Sequence, residues 1–277
     1  VLARIGEVKQ LVEFASDELF HEMGVMPEIM GFLAEAAADE KIAPTDRFLA
    51  LDGLVFADMK QGDYPAASER LDIMAHLIAE NGFGDHERLT LEMKRMNVLA
   101  YEGKADEVLA TIDTISEMLP ASPVHQRIFK YNAAHALFGL GRYEAAISET
   151  YELIQEYYDV LGISPEDVIG KNADKIRSII KKKGDVTDDL KHLADSLDLY
   201  AKSMNSSGQD SRLARIHAMK FYELARALDS LIRVGQDLVD EFVSRNDFIG
   251  AREVIETNLM PSVLRFKLTE RIMPVRS

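Results

Sequence analysis

Residues 137–147 read LFGLGRYEAAI. An apolar helical run ends at Gly141, and a second begins at Tyr143. Glycine adopts φ > 0 without the penalty that a Cβ imposes, so Gly141 reads as a helix stop. Tyr143 is placed to plug the gap between two antiparallel helices. Ala146 follows three residues on, and its small side chain lets the second helix approach the first closely. An isolated turn of this kind decides little. A series of them decides the architecture.

The series is there. DMKQGDYPAASERLDIM centres on Gly62, LAYEGKADEVLATIDTI on Gly103, FHEMGVMPEIMGFL on Gly24 and IIKKKGDVTDDLKHL on Gly184. From Gly24 to Gly184 the successive spacings are 38, 41, 38 and 43 residues. In FVSRNDFIGAREVI, Asn246 replaces the glycine; asparagine is the other residue that tolerates a left-handed backbone. Tyr64 and Phe248 take the place of Tyr143, and Ala67 and Ala251 that of Ala146. The Gly103 copy has Ala105 and Val108 there instead. Between the turns, Leu, Ala, Glu, Lys, Met and Arg dominate, and apolar residues recur at i, i+3, i+4 and i+7. Alternating β-branched runs and Asn-Gly hairpin turns are missing, which makes the fold all-α. One helical hairpin cannot bury its apolar face alone; stacked neighbours bury it for one another.

LGRYEAAI, QGDYPAASERL and RNDFIGAREVI together resemble the tetratricopeptide-repeat (TPR) family, over roughly residues 10–260. The resemblance implies a right-handed superhelix of antiparallel hairpins, here with 38–43 residues per repeat and helices longer than the family's by about a turn. The family's initial Trp is absent from this chain. The resemblance also implies that the first helices of successive hairpins line a concave, partner-binding face. Counting back from each turn glycine places there Asp52, Phe56, Met59 and Lys60, then Met93, Asn97 and Tyr101, then Tyr131, His135 and Phe138, then Asp174, Ser178, Lys181 and Lys182. Of these, Phe56, Lys60, Asn97, Tyr101, Tyr131, His135, Phe138, Ser178, Lys181 and Lys182 are the candidate partner-binding residues. An aromatic track with polar anchors is what peptide recognition requires. The same helical spacing equally accommodates Tyr131 and Phe138 as packing residues against the next hairpin.

Composition narrows the chemistry. The formal charge of −15 opposes binding to bare nucleic acid or anionic lipid. No cysteine is present, which removes disulfides, thiolate ligands and Cys nucleophiles and favours a cytoplasmic location. No apolar run reaches the ~18–20 residues of a membrane helix. The histidines, at 21, 76, 86, 125, 135, 192 and 217, never fall four apart, and no HExxH, P-loop, GxGxxG or GxSxG occurs. The expectation is a chain without cofactor, metal site or enzymatic activity. Met74, Met93 and Met96 sit at core spacing. The basic island KIRSIIKKKGD (175–185) reads mainly as cations meeting a helix C-terminus.

Regularity breaks in the 62 residues between Gly184 and Asn246. SMNSSGQDS (203–211) is the strongest loop signal, and residues 211–245 read as one very long helix or two with a break near Gly235. GISPED (162–167) marks a helix stop followed by a new start. The expected organisation is a hairpin array over residues 1–204, followed by a long helix and a terminal hairpin over 205–277, packed as one continuous domain. The expected function is a scaffold that binds a protein or peptide on its concave face. Alternatives are a peptide-sensing module controlling an effector, attached before residue 1 or separate, and a self-assembling structural protein, for which a homo-oligomer is compatible.

Overall fold

The turns that the sequence singles out carry the backbone geometry that separates the helices. In the computed structural model, which describes residues 8–9, 12, 26–119, 122–164, 176, 178 and 181–266, Gly141 stands at φ 70° and Gly62 at φ 76°. At Gly62 the glycine N–H donates to Met59 O at 3.1 Å, and the next N–H, of Asp63, reaches back to Asp58 O at 2.9 Å. These bonds satisfy the last carbonyls of the helix and reverse the chain. Asn246 adopts φ 59° and closes its helix with the same reach-back, Asp247 N–H to Phe242 O at 2.9 Å. The Asp63 and Asp247 carboxylates then accept from Ala66 N at 3.2 Å and Gly250 N at 2.9 Å, starting the next helices. The Gly24 copy lies outside the described residues.

The described residues are all-α, in consecutive helices: α1 (Met26–Ala38), α2 (Pro44–Gln61), α3 (Tyr64–Asn81), α4 (Asp85–Tyr101), α5 (Ala105–Met118), α6 (Pro123–Gly139), α7 (Tyr143–Leu161), α8 (Thr187–Ser206), α9 (Arg212–Ala225), α10 (Leu228–Ser244), α11 (Phe248–Val254) and α12 (Met260–Phe266). A π-turn, Ile255–Leu259, joins the last two. The chain forms two compact units, Val1–Gly141 and Arg142–Ser277.

In the first unit, α1 through α5 pack each on the next as stacked antiparallel hairpins, and α6 packs on α4. Phe48, Leu51 and Val55 of α2 share one core with Leu71 and Met74 of α3 and Leu91 and Val98 of α4. Met96, Val108, Ile115 and Ala136 fill the next layer. Ala67 and Val108, three residues after their helix starts, are fully buried, as the close-approach argument requires.

The second unit packs α7 on α8, α8 on α9, α9 on α10 and α10 on α11. Three sequence expectations are corrected here. First, α8 runs on through Ser206, so the loop shrinks to residues 207–211. Second, the break after Arg212 falls at Arg226, which takes the left-handed conformation at φ 58°; Gly235 lies inside α10. A Cβ on Gly235 would meet Leu259 Cδ2 at 2.4 Å, so its glycine serves a close contact rather than a turn. Third, Phe248 does not plug its hairpin: it is 63% exposed. The Phe242 ring occupies that space instead, pressed so close to Gly250 that a Cβ there would meet it at 2.4 Å.

The interface of α8, α9 and α10 is electrostatic as well as apolar. Buried Arg215 spans Glu241 at 3.2 Å and Asp198 at 3.8 Å, and Asp198 also takes Lys202 at 2.8 Å and Arg233 at 2.9 Å. Burial would raise the Asp198 carboxyl, but Lys202 and Arg233 together outweigh it and hold the group below its ordinary value. On α9, burial and then Lys220 push His217 down to about 4.

Two predictions follow from this packing. Gly235→Val should destabilise the protein by about 1–3 kcal/mol, since overpacking against Leu259 outweighs any gain in helix propensity. An unchanged denaturation midpoint would refute the contact. His217 is neutral in the folded chain, whereas unfolded histidine takes its proton near the ordinary ~6.5. The unfolded state therefore binds more protons between about 6.5 and about 4, and stability falls as the pH drops through that window. Thermal melts should show His217→Leu losing less stability than wild type over that range; parallel losses would contradict the assignment.

Candidate functional site

Within the first unit, four helices contribute side chains to a common cavity. Its volume is about 460 Å³, and Phe56, Met59 and Lys60 of α2, Tyr64 of α3, Lys94, Asn97 and Tyr101 of α4, and Tyr131, Asn132 and His135 of α6 line it. The residues converge because near-equal spacings between turns bring equivalent positions of α2, α4 and α6 to the same side.

At one end, the Phe56 ring sits beneath two ammonium groups, Lys60 Nζ at 5.5 Å and Lys94 Nζ at 5.8 Å from its centroid. Electrostatic attraction to the ring face accounts for this arrangement. Lys94 is anchored from below by Asp52, through Oδ1 at 2.9 Å and the backbone carbonyl at 3.1 Å.

The centre holds two amides whose orientation is forced. Asn132 Nδ2 donates to the Ile128 carbonyl at 2.8 Å, so its Oδ1 must face Asn97, whose Nδ2 donates to it at 3.0 Å. A carbonyl can only accept, and this fixes the polarity of the whole chain. It ends on Asn97 Oδ1, which is sealed from solvent and accepts from no described donor. A buried acceptor left without a donor is available to a donor brought by an occupant.

The far wall is aromatic. Tyr64 and Tyr101 stack with centroids 5.3 Å apart and planes within 5°. Tyr101 meets His135 edge-on at 5.7 Å, its hydroxyl 3.4 Å from Nε2, and His135 lies over Tyr131 at 6.3 Å. Burial, and then the neighbouring Tyr64, push the Tyr101 hydroxyl above its ordinary value, so it stays a protonated donor at neutral pH. This wall offers flat apolar area tipped with hydroxyl and imidazole groups, which suits an amphipathic occupant.

Of the residues singled out in the sequence, the structure brings Phe56, Lys60, Asn97, Tyr101, Tyr131 and His135 together at this cavity, with Met59 beside them. Phe138 is half-buried on α6 and is not among the lining residues. Ser178, Lys181 and Lys182 are exposed residues of the second unit, and Asp174 lies outside the described residues. In the basic island, Lys183 donates to the Val160 carbonyl at the end of α7, so it meets the C-terminus of a different helix from its own. Lining residues that the sequence reading missed are Lys94, Asn132 and Tyr64. Lys94 and Asn132 each follow by one residue a position already on the track, Met93 and Tyr131, so a slightly wider stripe on the same helix face includes them. Tyr64 reads in sequence as a gap-filler, and its ring does double duty through the stack on Tyr101.

Among the described residues, no group of three His, Asp or Glu side chains gathers to hold a metal ion. No described helix is long and apolar enough to cross a membrane. The chain matches no family model, no curated protein and no solved structure.

Proposed function

We propose that the chain is a non-enzymatic, TPR-like helical-repeat scaffold that binds a peptide segment in the cavity of α2, α4 and α6. The observation that carries this reading is the convergence of ten side chains from four helices on one cavity of about 460 Å³. That volume falls in the range of about 300–1,000 Å³ of ligand sites and fits a few side chains, not a globular surface. The lining supports a peptide over a reaction. It offers stacked aromatics, two amides and two cations, with no paired carboxylates, and its one hydroxyl–imidazole contact, Tyr101 to His135, is long at 3.4 Å. The TPR-like assignment rests on the Gly–x–Tyr–x–x–Ala turn chemistry at Gly62, repeated in sequence at Gly141, and on the stacked hairpins of the first unit.

Selection of random displayed peptides against the intact chain tests the reading. Enriched peptides should bind wild type and lose about tenfold or more in affinity on Tyr131→Ala/His135→Ala, whose melting temperature stays near wild type. Peptides that bind both proteins equally would move the site elsewhere, and a selection without enrichment would remove the peptide reading.

A further inference from the structure

The charge of the cavity is opposite to that of the chain around it, and this bears on what it holds. The inference rests on the reading of the cavity as a peptide site. The protein carries 47 acidic and 32 basic residues, yet the ten residues lining the cavity include two lysines and no carboxylate. Asp52, which lies outside the lining, pairs with Lys94 at 2.9 Å.

That engagement organises Lys94 instead of cancelling it. An ammonium has three N–H donors. The Asp52 backbone carbonyl accepts from one of them at 3.1 Å and the Asp52 carboxylate pairs with the ammonium at 2.9 Å, which fixes where Lys94 Nζ sits at the cavity. A lysine held this way loses little further side-chain freedom when it binds. Lys60, one turn along α2 from Phe56, sets a second ammonium over the same ring, 5.5 Å from its centroid. The two cations thus come from different helices to one end of the cavity. The other lining residues are aromatic, amide, thioether and imidazole groups.

We infer that the occupant is a short acidic segment: an Asp or Glu carboxylate meets Lys60 and Lys94 above Phe56, and a neighbouring apolar side chain lies on the wall of Tyr64, Tyr101 and Tyr131. The net charge of −15 disfavours such a segment over the surface as a whole, and the cavity is the place where two cations adjoin an aromatic wall. A basic segment meets two like charges at the same end and is rejected.

Three displayed peptide libraries with identical randomised apolar-rich cores, flanked by Glu, by Ser or by Lys, test this against the intact protein. The Glu-flanked library should enrich about tenfold over the Ser-flanked one, and the Lys-flanked library not at all. Lys60→Gln and raised salt should each reduce that preference while the melting temperature holds. Equal enrichment of the three libraries, or a Glu preference indifferent to both Lys60→Gln and salt, overturns the acidic assignment and leaves the peptide reading standing. Enrichment of none overturns both.

Discussion

The left-handed turn that closes a first helix, followed by a small or compact residue where the second helix crosses it, is the constraint on which the structure depends. It fixes where each helix stops and how closely the two arms approach. Gly62, Gly103 and Gly141 supply the backbone at φ 76°, 75° and 70°. Ala67 and Val108 supply the buried contact in the first unit. With turn and contact set, the apolar stripe of each arm has one partner face, and burying it stabilises helices that would be marginal alone.

The cavity is a consequence of the same constraint. Near-equal spacing between turns puts equivalent positions of α2, α4 and α6 on one side, and the cores of successive hairpins hold them there. Phe56, Asn97 and His135 need no local motif to meet; the spacing of the turns delivers them. Local chemistry then adjusts what spacing provides. Asp52 holds Lys94, the Ile128 carbonyl sets the polarity of Asn132 and Asn97, and Tyr64 stiffens Tyr101 by stacking.

Much of this was legible in the sequence, because glycine spacing and helical periodicity are local signals. The all-α class, the turn positions and the left-handed Asn246 were readable from those alone, whereas six of the residues at the cavity were implied by the resemblance to the TPR family, counted back from each turn. Where the reading failed, a non-local contact decided the matter. Gly235 looks like a helix break, yet its missing Cβ is required by Leu259, distant in sequence. Phe248 matches the gap-filling position of Tyr64 and Tyr143, but Phe242 from the preceding helix claims the space. Arg226, by contrast, adopts a left-handed conformation that nothing in its residue type announces. The charged interface around Arg215 and Asp198 was also hidden. Its members lie on three helices, and each alone reads as a solvated charge.

The central claim is that hairpin spacing brings successive helices of the first unit onto one face and so builds the cavity. A nuclear Overhauser spectrum of the intact chain, with labelled tyrosine and histidine rings, tests it most directly. The account predicts cross-peaks between the rings of Tyr64 and Tyr101 and between those of Tyr101 and His135, contacts made across three helices. Their absence in a folded sample would mean that these helices do not share a face, and the cavity would fall with them.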